Sequence, residues 1–250
     1  QAKTLFPYTT LFRSALPALT TTNFAAGTGY LIRMPNTADA GIPTAYAGQF
    51  TGVPNNGDVS IALSTAGSAY NLVGNPYPST INLFTLQSNN STVIGNTFYI
   101  WRTTNAAGTA YCTYVPSSTT AGTYVKNNVQ SPAAFVGDIQ PGQAFFVKAL
   151  TTGPLVFKNG QRGTTAGSFF KTKQVATADK VWLNTTNATG DFSQMAVTYF
   201  DGATPGVDAF DGKYINDSPL ALTSNINNDE YTIQGRPAFD AADVVPLNFK

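Results

Sequence analysis

NLVGNPYPSTINL, residues 71–83, sets one glycine and two prolines between two apolar runs. Gly74 can take backbone conformations closed to other residues, Pro76 pushes Asn75 to extended geometry, and Pro78 does the same to Tyr77. A helix does not run through such a stretch. The segment reads as a strand over Tyr70–Val73 that ends in a stiff corner at a fixed angle. Tyr77 could present its ring to a ligand there, but Pro and Gly at this density shape scaffolds more often than they contact partners, so burial of the ring is expected.

Outward from this corner the chain repeats one pattern. QFTGVPNNGDVSIAL (49–63) reads as two short strands about Pro54–Gly57, a hairpin signature because Asn-Gly tolerates positive φ. YLIRM (30–34) precedes it. FYIW (98–101), AYCTYV (110–115), AFFVKAL (144–150) and PLVFK (154–158) follow. Beyond a TTAGS spacer (164–168) come VWLNTT (181–186), QMAVTYF (194–200), LALTS (220–224) and YTIQG (231–235). Only Phe239–Val244 suggests a helical turn, with Asp240 able to cap it. Charged residues are 11% of the chain and Glu230 is its single glutamate, so long helices have little to build on. The fold class expected is all-β: two β-sandwich, jelly-roll-like modules in series, with antiparallel strands and almost no helix.

Charge marks the boundary between the modules. From Ala15 to Val175 eight basic residues outnumber Asp39, Asp58 and Asp138, whereas Ala176–Lys250 holds ten acids against Lys180, Lys213, Arg236 and Lys250. The expected division is 15–172, containing the corner, and 173–250. Residues 1–14 are set apart. TLFPYTTLFRS (4–14) has neither strand nor helix periodicity, fails as a secretory signal, and is identical to the translation of a common short-read sequencing adapter. It is expected to be an artefactual leader. Without residues 1–14 the chain keeps 12 basic residues against 13 acidic, in place of 14 against 13.

The inventory of reactive groups is short. With no histidine, Ser-His-Asp, Cys-His and histidine-ligated zinc sites are excluded together. No GxSxG, GxxxxGK[ST] or GxGxxG motif occurs. Paired carboxylates need only two acids, but most aspartates sit in Gly-rich turns, so the chain reads as no enzyme. Cys112, the lone cysteine, reads as a small apolar filler beside Tyr111. No Lys/Arg cluster addresses nucleic acid, and no apolar run approaches the eighteen residues of a membrane span.

Two constellations stand out as candidate sites. FDGATPGVDAFDG (200–212) gathers Asp201, Asp208 and Asp211 with three bending glycines, a set of oxygen ligands suited to calcium. The spacing departs from the EF-hand pattern, and aspartate also favours turns by bonding its own backbone. Trp101, Tyr114, Tyr124 and Trp182 lie in strands, where an outward-facing ring could stack on sugars. Strand alternation and ring size make them core residues first.

GYLIRMPNT, FTGVPNNGDVSIAL, NLVGNPYPSTINL, FYIWRTT and IQPGQAFFVKA, in that order, followed by VWLNTTNATGDFSQMAVTYFDGATPGVDAFDGKYIND and YTIQGRPAFDAADVVPLNFK, carry a family resemblance. From about Phe24 onward the chain resembles a recurring passage of large surface and secreted proteins of the Bacteroidetes lineage that carry a type IX secretion system sorting domain. The resemblance implies an exported, cell-surface or extracellular protein of β-sandwich-like modules, ending in a sorting domain that the type IX machinery reads. It also implies a fragment truncated at both ends. The expected function is a non-catalytic structural or adhesive module, contacting glycans or other surface proteins. The alternative is an accessory carbohydrate-binding module of a secreted hydrolase whose catalytic domain lies outside this stretch.

Overall fold

The computed structural model describes residues 24–30, 52–102, 110–125, 135–163, 179–215 and 220–250. The leader 1–14, all but Tyr30 of the strand expected at 30–34, the TTAGS spacer and the boundary at 172/173 lie outside the described residues.

In chain order the elements are β1 (Val59–Ala62), β2 (Tyr70–Gly74), β3 (Thr80–Asn82), α1 (Leu83–Asn89), β4 (Ile94–Arg102), β5 (Ala110–Pro116), β6 (Gly122–Val125), β7 (Asp138–Ile139), β8 (Ala144–Ala149) and β9 (Pro154–Phe157). A 3₁₀ turn (Asn159–Gln161) and β10 (Arg162–Gly163) close this half. The second half holds β11 (Asp179–Thr186), β12 (Phe192–Tyr199), β13 (Gly212–Lys213), β14 (Leu222–Ile226), β15 (Asp229–Arg236) and β16 (Leu247–Phe249). The fold is all-β, with one short α-helix among the described residues.

The central sheet runs β2-β8-β4-β5-β6, antiparallel throughout. Strand alternation divides its side chains between two faces. Val73, Phe98, Ile100, Cys112, Tyr114, Phe145 and Val147 point to the front and form the main core. The pair β1-β9, the small sheet β10-β3-β7 and α1 cover that face through Leu155, Phe157, Ile81, Ile139, Leu83 and Leu86. This front half is a β-sandwich. On the back, Tyr99, Tyr111 and Phe146 form a second cluster with the half-buried Tyr70, Leu72 and Trp101.

The helix was not expected. Asn82 stops β3 and caps α1, its Oδ1 accepting from the Phe84 and Thr85 amides at 3.0 and 3.4 Å. Leu83 and Leu86, three apart, then face the core. At the far end the Asn90 amide donates to the Leu86 carbonyl at 2.8 Å and exchanges two bonds with the Val156 backbone. Asp240 does cap a turn, accepting from the Ala242 amide, but the chain does not become helical there.

Of the hairpin expected at 49–63, residues 49–51 lie outside the described residues. Gly57 takes the positive φ, yet residues 52–56 form no strand, and Val53 is exposed. β1 pairs with β9, Val59 opposite Phe157, because that pairing places Ile61 and Leu155 against the core. A two-residue hairpin turn falls at Asn227–Asn228, both with positive φ, between β14 and β15.

The second half forms one sheet, β11-β12-β15-β14-β16, with β13 also on β15. Its pairings are antiparallel except β12 with β15, which run parallel. Beside β5 and β6, Ala196, Ile233 and the half-buried Trp182 enclose Val115 and Val125. The second sheet therefore lies against the back of the first and shares a buried cluster with it. Among the described residues no helix is long and apolar enough to cross a membrane.

Candidate functional site

The proline corner is scaffold. Asn75 Oδ1 accepts from the Tyr77 amide at 3.0 Å, and its Nδ2 donates to the carbonyls of Ser79 and Ile139 at 2.7 and 3.2 Å. The buried Tyr77 hydroxyl is shared between the carbonyls of Gly57 and Phe157, each at 2.8 Å. Arg162 lies 5.5 Å from the centre of the ring and donates to Ser79 Oγ and Asn56 Oδ1. Neither face of this tyrosine addresses a ligand.

The four aromatic candidates do not share a surface. Tyr114 is fully buried in the front core, edge-on to Phe135, with its hydroxyl on the Ala121 carbonyl. Burial holds that hydroxyl far above its usual pKa, with the Asp138 carboxylate adding to the effect. It is a core residue and not a ligand platform, since β5 alternation turns it inward. Tyr124 packs on the same core from β6. Its carbonyl accepts from the Trp182 indole at 3.2 Å, so Trp182 joins the two sheets. Trp101 is half-buried on the back face, edge-on to Tyr111 with 4.9 Å between ring centres. Burial pushes the Tyr111 hydroxyl up to about 12.

The acidic loop is likewise committed to its own backbone. Asp201 is exposed. Asp208 Oδ2 accepts from the Thr204 amide and hydroxyl at 2.7 and 2.9 Å, and its Oδ1 from the Phe210 amide. Asp211, buried, accepts from the Asp208 amide at 2.7 Å and the Gly235 amide at 2.9 Å. Burial raises the Asp211 carboxyl to about 6; its two backbone bonds and Arg236 pull the other way, and the Asp208 charge adds to the rise. Among the described residues no three His, Cys, Asp or Glu side chains gather as a metal site. Of the three calcium candidates, Asp208 and Asp211 staple the loop through backbone bonds, as the turn-forming reading has it, and Asp201 is exposed.

That loop has a mechanical place that its sequence did not reveal. β4 carries a register shift against β8 between Ile94 and Phe98, which aims Asn96 and Thr97 off the ladder. Asn96 Nδ2 donates to the Ala209 carbonyl at 2.7 Å, Thr97 Oγ1 to Asp211 at 3.0 Å, and the Tyr99 hydroxyl to Lys213 at 3.1 Å. Three side chains of β4 thereby hold alternate carbonyls of the strap that feeds β13. Above it, Arg236 is paired with Asp243, raising the guanidinium and lowering the carboxylate. No motif announces these pairs; only the Asn82-Leu-Phe-Thr-Leu run, a cap before apolar residues three apart, was open to sequence reading.

A family model described as "Domain of unknown function (DUF8693)" matches residues 3–250, a span that takes in residues 4–14. No curated protein and no solved structure matches the chain.

Proposed function

We propose that this chain, which belongs to the DUF8693 family of domains of unknown function, is a non-catalytic structural or adhesive module of an exported cell-surface or extracellular protein. The supporting observation is how its polar chemistry is employed. The Asn75, Asn82 and Asn90 amides, the Tyr77, Tyr99 and Tyr114 hydroxyls, and the Asp208 and Asp211 carboxylates all hold backbone groups of strands and turns. Such side chains stiffen a display scaffold. Several weakly binding modules on one long chain give useful avidity without a strong single site. On this reading the type IX machinery is a partner through a sorting domain elsewhere in the protein. Surface proteolysis of producing cells tests it: an antibody to this module should lose its signal when intact cells are treated. Protection until lysis would overturn the address.

One observation favours a second reading, an accessory carbohydrate-binding module. Trp101 is a half-buried ring beside Tyr111 on the back of the sheet. A glycan array separates the two: selective binding abolished by Trp101→Ala supports the second, and uniform silence the first.

A further inference from the structure

We propose that Asn56–Gly57 is a self-modifying site, at which the Arg162 guanidinium promotes spontaneous deamidation of Asn56. The chain has two Asn-Gly pairs, Asn56–Gly57 and Asn159–Gly160, far apart in sequence. The fold brings both to one side chain: Arg162 Nη1 donates to Asn56 Oδ1 at 3.1 Å and to Asn159 Oδ1 at 3.0 Å. Arg162 is itself fixed, with Nε on Ser79 Oγ at 3.1 Å and the guanidinium 5.5 Å from the centre of the Tyr77 ring. An Asn-Gly pair is the most open to this reaction, because glycine sets no Cβ beside its amide nitrogen.

The reaction needs no co-reactant but water. The Gly57 nitrogen bonds to the Asn56 side-chain carbonyl carbon and loses its proton, the bond from that carbon to Nδ2 breaks, and ammonia leaves. Water then opens the cyclic imide to aspartate or isoaspartate. Each group is suitably placed at Asn56. The guanidinium polarises the carbonyl under attack and faces the oxygen on which negative charge develops. Asn56 is exposed, and its Nδ2 leaving group has no hydrogen-bond partner among the described residues. The Gly57 amide donates to Asn159 Oδ1 at 3.4 Å, a long contact, and a Cβ at Gly57 would meet nothing within 4 Å, so the nucleophile is neither locked nor screened. Asn159 differs. It starts the 3₁₀ turn, its amide donates to Asp58 Oδ1 at 3.0 Å, and its carbonyl accepts from the Arg162 amide. A turn closed by such bonds resists the backbone rotation that ring closure needs. Deamidation of Asn56 to aspartate thus gives Arg162 a carboxylate in place of a neutral acceptor, a charge-assisted pair.

Peptide mapping by mass spectrometry of the full chain, incubated near neutral pH either folded or in urea, reads the conversion of both asparagines. In the folded chain Asn56 should convert about tenfold faster than in urea, and Asn159 about tenfold slower. Arg162→Lys keeps the charge but loses the fork, and should slow conversion of Asn56 in the folded chain about tenfold. Should that variant fail to fold, the ratio of folded to unfolded rates in the wild type decides. An Asn56 no faster folded than unfolded, an unchanged rate in folded Arg162→Lys, or conversion of Asn159 ahead of Asn56 would overturn the proposal.

Discussion

The hydroxyl of Tyr77 stands 2.8 Å from the carbonyl oxygen of Phe157, eighty residues away, and ties the proline corner to the end of β9. The corner thereby fixes where β1-β9 sits over the central sheet, since Phe157 pairs with Val59. Removing that oxygen leaves a buried carbonyl without its donor. Tyr77→Phe should lower stability by about 1–2 kcal/mol, measured by urea unfolding. A change below a few tenths would mean that neither the Gly57 nor the Phe157 carbonyl depends on this hydroxyl.

Gly122 faces the Tyr114 ring so closely that a Cβ would stand 2.4 Å from Cε2, and at Gly137, where φ is +87°, it would stand 2.7 Å from the hydroxyl. Tyr114 is rigidly packed and has little room to move. Gly122→Ala should cost about 1–3 kcal/mol through overpacking. The double variant with Tyr114→Leu should recover part of that loss, and additive losses would refute the clash.

Asn90 closes α1 and holds Val156 of β9 with the same amide group. Asn90→Ala strands the Leu86 and Val156 partners in the interior, at a cost of about 2–3 kcal/mol. Asn82→Ala removes a helix cap for about 1 kcal/mol. Comparing the two in one denaturation series checks the order, which would be reversed if the cap dominated.

Asp243 and Asp211 should respond to pH with opposite signs. Arg236 lowers the Asp243 carboxyl below its unfolded value, so that stability is present above about 4 and lost as pH falls further. Asp211 is raised to about 6, so its contribution is present below about 4 and lost as pH rises through 6. Asp243→Asn should cost about 2 kcal/mol at pH 7 and progressively less in acid. Asp211→Asn removes one of the two acceptors for the Asp208 and Gly235 amides and should destabilise, but its cost relative to the wild type should shrink as pH rises from 4 to 7. Equal slopes for the two variants would contradict both assignments.

Thr97→Val keeps the shape of the side chain and deletes its bond to the Asp211 carbonyl. A loss of about 1 kcal/mol is expected, together with faster amide exchange across β13 and unchanged exchange in β1-β9. Uniform loosening of the whole chain would show that the strap does not act locally.

Strand positions were legible because they rest on local properties. β2, β5, β8, β9, β11, β12, β14 and β15 all fall on segments whose β-branched and aromatic residues alternate or run together. Tyr77 burial was legible for the same reason, since Pro76 and Pro78 restrict the backbone whatever lies around them. The short helix escaped because Asn82 and the Leu83/Leu86 pair span too few residues for a periodic signal. At 49–63 the Asn-Gly pair shows that a turn can form and is silent on β9, the strand that β1 pairs with.

By itself, then, the amino-acid sequence determined the β character, the rigid corner and the exclusion of histidine chemistry, all of which follow from residue type and near neighbours. Tertiary structure alone decided that β1 pairs β9, that β12 runs parallel to β15, and that Asp211 leaves a presumed ligand set to pin one sheet to another. Those outcomes depend on which distant surfaces bury together. Residues 97 and 211 meet only because the shift in β4 and the strap before β13 arrive at one place, and nothing in either segment encodes the other.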